Sequence, residues 1–336
     1  MSIVLQSQRL GPPPWPTLDP FLFCVHHVDA YPAGDEAMAV PTAARAGRRL
    51  GMDFEGIDGF RMYHGQSVPG FPQHPHRGFE TVTVARKGYI DHSDSLGATA
   101  RFGEGDTQWM TAGAGIVHAE MFPLLDQQRS NPAELFQIWL NLPASDKMVD
   151  PYFTMLWRED IPVLISHDDV GHKTETTVVA GALPGAEPPP PPPNSWASRP
   201  DADVAIWTLA MEPGAKHVLP PAGSETLRTV YVVEGTLRIE ATDYSAPTML
   251  VVDAQRELPL ESHGCELLVL AGKPIGEPIA QHGPFVMNTA DEIRKAFTDY
   301  QRTQFGGWPW PSDAPVHPRE MGRFASHADG QLEEKG

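Results

Sequence analysis

Two short runs carry residue types that can hold a metal ion. In HPHRGFE, His74 and His76 stand two positions apart, and in IVHAEMF the same spacing separates His118 from Glu120. On a β-strand, residues i and i+2 point to one face, so each pair can present its donors together. If the two strands face each other across a small barrel, three imidazole nitrogens and one carboxylate oxygen converge on a point. A three-nitrogen, one-oxygen set leaves two octahedral positions open for water, dioxygen or a chelating substrate. That set suits one divalent ion, iron first, with Mn, Co, Ni, Cu or Zn as alternatives. A closed structural zinc site would more often use cysteine and leave no vacancy.

The remaining histidines lack this pattern. His26 and His27 are adjacent and would face opposite ways on a strand. His64, His92, His167, His172, His217, His263 and His282 have no partner at ligand spacing, and are expected at the surface or in ordinary hydrogen bonds. Cys24 and Cys265 are the only cysteines and lie far apart, so neither a disulfide framework nor a zinc knuckle is indicated. Metal chemistry here has to use histidine and carboxylate.

The elements that position these residues read as strands. FETVTVAR (79–86), GIVHAEM (115–121), ELFQIWLNL (134–142) and TVYVVEGTLRIE (229–240) are strand-length, rich in β-branched or aromatic residues, and fenced by turn formers. The 35 prolines and 30 glycines are scattered, as frequent turns in a sandwich or barrel require. The six prolines of GAEPPPPPPNSWAS cannot pair in a sheet, and predict a stiff surface connector or a rigid loop framing a cavity. Ile293, Ala296, Phe297 and Tyr300 in ADEIRKAFTDYQRTQFG recur at helical spacing and predict one amphipathic helix. The Trp- and Pro-rich tail beyond Gly307 is expected to lie loosely on the surface.

The chain has 336 residues, enough for about two domains. Its 25 basic against 43 acidic residues give a formal charge of -18, which repels phosphate backbones and argues against direct nucleic-acid binding. MSIVLQSQRLGPPPWP contains no basic stretch followed by a long apolar run, and no segment has the length of a membrane span. The expectation is a cytoplasmic protein with no membrane contact.

The stretch GFPQHPHRGFETVTVARKGYIDHSDSLG, followed by GEGDTQWMTAGAGIVHAEMF, resembles the pirin family of bicupins. FQIWLNLP, KMVDPYF, PPPPNSWA, EPGA and GEPIAQHGPFVMNT continue the likeness, which runs from about residue 20 to residue 306. The resemblance implies an all-β chain of two tandem cupin domains, jelly-roll-like β-barrels facing each other, followed by a short C-terminal helix. It places a metal-binding cupin domain at 1–140 and a metal-free cupin domain at 141–287, the latter including the Pro-rich loop 187–194. The helix and tail occupy 288–336. His74, His76, His118 and Glu120 match the family's iron ligands. The cupin pattern adds a carboxylate after HxH, here Glu80, as a supporting group or competing ligand. The second unit offers only His217 where two histidines would be needed.

Some family members resemble quercetin 2,3-dioxygenases, which open a flavonol ring with dioxygen and release carbon monoxide. The expected activity is therefore a metal-dependent oxidoreductase acting on a flavonol or similar small aromatic. Glu120 or Glu80 would serve as base. Phe79, Trp109, Met110, Met121, Phe122 and Trp139 are the candidates to line an apolar pocket. Other family members resemble iron-dependent redox sensors that bind a protein partner and regulate transcription or metabolism, which is the alternative reading. A monomer is expected. The segment 26–58 is longer and more polar than the family's usual opening, and a loop there would set substrate access.

Overall fold

A computed structural model describes residues 2–335. Its regular structure is mostly antiparallel β, with one helix of real length, Ala290–Thr303. The chain forms two cupin-type units. One comprises residues 25–138, 144–155 and everything from Glu277 onward; the other comprises the segment up to Cys24 with 139–143 and 156–276. The units therefore interleave along the chain.

The histidine-bearing unit holds a six-stranded sheet, a five-stranded sheet and the two-stranded ribbon of Ala280–His282 with Phe285–Met287. The six-stranded sheet runs in the order Leu332–Lys335, Arg323–Ser326, Thr99–Gly103, Tyr89–Asp94, Ile116–Met121, Gly70–His76. The five-stranded sheet runs Tyr152–Leu156, Thr107–Thr111, Phe79–Lys87, Asn131–Asn141, Phe21–Tyr31. The strand carrying His118 and Glu120 is buried on both faces. Its odd-numbered residues turn outward, where Val117 packs with Phe285, Ile293, Ala296 and Phe305. That outer layer is the apolar stripe of the C-terminal helix. Thr289 caps this helix by accepting from the Glu292 N–H at 3.2 Å, and the Glu292 carboxylate accepts in turn from the Asn288 N–H at 3.1 Å. The two pieces of sequence signal, strand alternation and helix periodicity, thus meet at Val117.

Between the HPH strand and the next stands Gly78, with φ of +84° and its ideal Cβ position 2.0 Å from the Val286 carbonyl oxygen. Only glycine tolerates both the left-handed backbone and that approach. The break resets the alternation between His76 and Phe79, which decides the fate of Glu80 below.

The tail is not loose. Arg323–Ser326 pairs with Thr99–Gly103, extending the sheet. The fully buried Arg101 pairs with Asp91 at 2.7 and 2.8 Å and donates to the carbonyls of His317, Pro318 and Met321. A buried guanidinium must satisfy its donors, and backbone carbonyls of the tail supply the acceptors. Arg323 likewise reaches the buried Asp106 at 2.8 Å.

The second unit is one eight-stranded sheet in the order Val4–Arg9, Thr248–Val252, Leu227–Ile239, Leu258–Gly272, Ala205–Leu219, Lys173–Ala180, Val163–His167, with Thr242–Ser245 paired to Leu227–Ile239. Trp207, Leu209, Val230, Val232, Leu250, Leu267 and Val269 form its core. The N-terminal strand is an exposed edge held mainly by its ladder to Thr248–Val252. His217 is half-buried, with Nδ1 3.3 Å from the Ser166 hydroxyl. No helix among the described residues is long and apolar enough to cross a membrane.

Candidate metal centre

His74 and His76 project from the edge strand Gly70–His76, and His118 from its neighbour Ile116–Met121. The register sets His74 directly opposite His118, after an irregularity between Phe71 and His74. Directly opposed residues of an antiparallel pair share a face, so alternation on each strand brings the three imidazoles together. One donor atom from each lies within 4.8 Å of the others, and this is the only such cluster among the described residues. The ring centroids are 4.4 Å apart for His74–His118, 4.8 Å for His74–His76 and 4.9 Å for His76–His118.

The electrostatics suit cation binding. Burial holds all three imidazoles below the ordinary histidine range, His74 at about 4 and the other two well down, so each ring is neutral at pH 7 with a lone pair to offer. His74 Nδ1 lies 2.8 Å from the Pro72 carbonyl, to which only an N–H can donate. That fixes the tautomer and leaves Nε2 as the ligand atom. His118 is fully buried, and neither of its ring nitrogens has a hydrogen-bond partner among the described residues. An unsatisfied buried nitrogen costs roughly 1–3 kcal/mol, a cost that a bound cation removes. The residues therefore fit a metal ion.

Glu120 stands at the edge of this cluster. Its Oε2 is 3.8 Å from His118 Nε2 and accepts from the Gln137 amide at 2.8 Å, while Oε1 accepts from the Thr83 hydroxyl at 3.3 Å. Both donors come from the five-stranded sheet, so Glu120 links the two layers beside the histidines. Burial raises its carboxyl above the ordinary carboxylate range.

Glu80 does not join them. It is fully buried and accepts from the Thr111 hydroxyl at 2.7 Å and from the Trp109 indole N–H at 3.3 Å. On the same strand Thr83 reaches Glu120 and Phe79 packs on His76 with centroids 5.1 Å apart. Odd positions therefore face the histidines, and Glu80 faces away. Even numbering carries no parity across the Gly78 turn. The same rule corrects two proposed pocket residues. Trp109 lies opposite Val82 and turns with Glu80. Met121 has the outward parity of Val117 and packs with Ala39, Val68 and Val316. Trp139 shares the strand parity of Gln137 and packs on Phe23 at 4.3 Å. Phe79 is at the site, and Met110 is opposite Thr81 on the inward parity. Phe122 packs on Phe71, which touches His74.

Residues passed over in the sequence also gather here. His92 is directly opposite Glu120 and Asp94 opposite His118, so both share the face of the three clustered histidines. They are fully buried, with His92 Nε2 3.2 Å from the Asp94 carboxylate and the His92 ring 5.4 Å from that of His118. The signal was available: His92 and Asp94 in IDHSD have the same i, i+2 spacing as HPH and HAE. Phe71, directly opposite Glu120, also belongs to this face.

The Pirin family model matches residues 13–140, and that of the Pirin C-terminal cupin domain matches residues 206–306. A Pseudomonas aeruginosa protein provisionally named quercetin 2,3-dioxygenase is 38% identical over 240 residues, covering 70% of this chain and 79% of its own length. Human pirin is 34% identical over 279 residues, 78% of this chain and 88% of its own. The crystal structure of a quercetin 2,3-dioxygenase from Acinetobacter baumannii superimposes with a TM-score of 0.67 at 30% identity, covering 86% of this chain and 87% of that one. The matched motifs, the paired cupin-type units and the three-histidine cluster lead to one conclusion: this chain belongs to the pirin family.

Proposed function

We propose that this protein is a metal-dependent dioxygenase of the quercetin 2,3-dioxygenase type, acting on a flavonol or similar small aromatic with dioxygen. The observation that carries the reading is the three neutral histidines within 4.8 Å of one another, bordered by Glu120 at 3.8 Å, in a chain similar to the Acinetobacter enzyme over most of its length. His74, His76 and His118 would hold the ion, with Glu120 as the fourth ligand or as the base. Iron is the first choice, because a histidine and carboxylate set with open positions suits it, although other divalent ions fit the same donors. When bound, the ion supplies Lewis acidity that makes a chelating hydroxyl more acidic, and open positions for small molecules.

The chain's own residues do the rest. Glu120 Oε2 faces His118 and keeps a lone pair beyond the one engaged by Gln137, so it can accept the substrate hydroxyl proton. Burial favours the protonated carboxyl and so helps the transfer. Thr83 and Gln137 fix the carboxylate's orientation as the proton arrives. Phe79, packed on His76, keeps that side of the centre apolar and dry.

Oxygen uptake with carbon monoxide release from quercetin tests the reading. Iron-loaded wild type should show both, and His118→Ala should show neither. Stoichiometric metal without turnover would instead favour the non-enzymatic redox sensor.

A further inference from the structure

We propose that Phe54, Tyr63, His64 and Phe71 form a pre-organised aromatic wall that selects flat, hydroxylated ring systems at the open side of the histidine cluster. The inference rests on the flavonol reading above and assigns its specificity to Phe54, Tyr63 and His64, ahead of the histidine strands, and to Phe71 on the first of them.

The open side is set by burial. His76 and His118 are buried, whereas His74 keeps partial exposure, so a ligand approaches past His74. A continuous series of ring contacts leads there from the surface. Phe54 lies 5.1 Å from His64, His64 lies 5.9 Å from Phe71, and Phe71 lies 6.2 Å from His74, centroid to centroid. Tyr63 braces the middle, 5.0 Å from Phe71 and 5.6 Å from Phe54. Each separation falls in the range in which aromatic rings attract one another edge to face or offset. Phe54 is 47% exposed and His64 is exposed as well, so the outer half of the wall has ring surface free to meet a ligand.

The wall is held more firmly than surface packing requires. Tyr63 adopts φ of +56°, a left-handed backbone that is an outlier for so bulky a residue. Its N–H and C=O are both engaged by Asp53 at 2.9 Å, and its hydroxyl donates to the buried Asp29 at 2.6 Å while accepting from His27 at 2.7 Å. The Arg61 backbone N–H and guanidinium close on the other Asp29 oxygen. Strained geometry that surrounding structure over-determines is characteristic of sites built for a purpose. Here its result is a fixed position for the Tyr63 ring and the adjoining imidazole.

The imidazole adds chemistry to shape. His64 Nδ1 lies 2.7 Å from the Gly51 carbonyl and must donate to it as an N–H. In that tautomer Nε2 carries no hydrogen and can accept one, matched to a phenolic hydroxyl. The ligand class is therefore a planar aromatic with a ring hydroxyl beyond the metal-chelating group.

Equilibrium titration of metal-loaded protein, followed by tryptophan fluorescence, tests this with two probes: quercetin, and 3-hydroxyflavone, which lacks the further ring hydroxyls. Loss of one aromatic contact corresponds to a roughly threefold to tenfold change in Kd. Phe54→Ala should weaken both probes by that factor. His64→Phe, which keeps a ring but removes the acceptor, should weaken quercetin and spare 3-hydroxyflavone. Metal content measured on the same samples should match wild type. Kd values within twofold of wild type for both variants, equal losses for both probes in His64→Phe, or no quercetin binding by wild type would overturn the wall. Binding as expected without oxygen uptake would retain the wall and remove the dioxygenase reading.

Discussion

The Gln137 side chain donates to the Glu120 carboxylate at 2.8 Å, joining the five-stranded sheet to the strand that carries His118. Glu120 is thereby oriented by the opposite layer of the barrel and not by its own strand. Outer groups that orient a metal ligand typically affect metal affinity by tenfold to a hundredfold.

Gln137→Leu should accordingly weaken metal binding by about 10- to 100-fold while leaving a folded protein. Competition against a chromophoric chelator measures it. An unchanged affinity would remove Glu120 from the ligand set and leave it only the proton-accepting role.

Metal removal should lower thermal stability, because an ion bound only by the folded state stabilises it by about 2.7 kcal/mol at a concentration 100 times Kd. Differential scanning calorimetry with and without chelator should show the shift. His76→Ala should abolish it, since two of three clustered nitrogens cannot replace the site.

The metal-free protein should lose stability as pH falls below about 6.5, the unfolded histidine value. Burial holds His74 at about 4 and His27 at about 3 in the folded state. Between those values and 6.5 the unfolded chain binds more protons, so stability rises with pH and the contribution is complete above 6.5. Urea midpoints at pH 7 and pH 5 should differ in that direction. His27→Gln should flatten the dependence without touching the metal cluster.

Arg101→Ala should destabilise the histidine unit by about 3–5 kcal/mol, the usual consequence of leaving one member of a buried ion pair alone. Asp91 would be stranded, and the carbonyls of His317, Pro318 and Met321 would lose their donor. Denaturant unfolding gives the magnitude. Limited proteolysis should cut the tail near these residues in the variant and spare it in wild type.

The clustering of the three histidines was legible because its logic is local. A spacing of two on a strand fixes a shared face whatever the rest of the chain does, so HPH and HAE declared their parity within three residues each. The same rule could have found His92 and Asp94, whose spacing is identical. The C-terminal helix was equally plain, since Ile293, Ala296, Phe297 and Tyr300 recur at its period and pack as one stripe.

What lay beyond the sequence was every relation between elements. Glu80 shares even numbering with the histidines, yet a left-handed glycine between the strands resets the count, and only the register with Thr107–Thr111 shows which way it points. The N-terminal strand VLQSQR is held by backbone ladder bonds, which leave little mark in side-chain pattern. The tail's anchors are carbonyls accepting from the buried Arg101, and a carbonyl belongs to every residue alike. Alternation and helical period are properties of a few neighbouring residues and survive in the sequence. Strand order, register and the partners of buried charges arise from contacts between distant segments, and tertiary structure alone decided them.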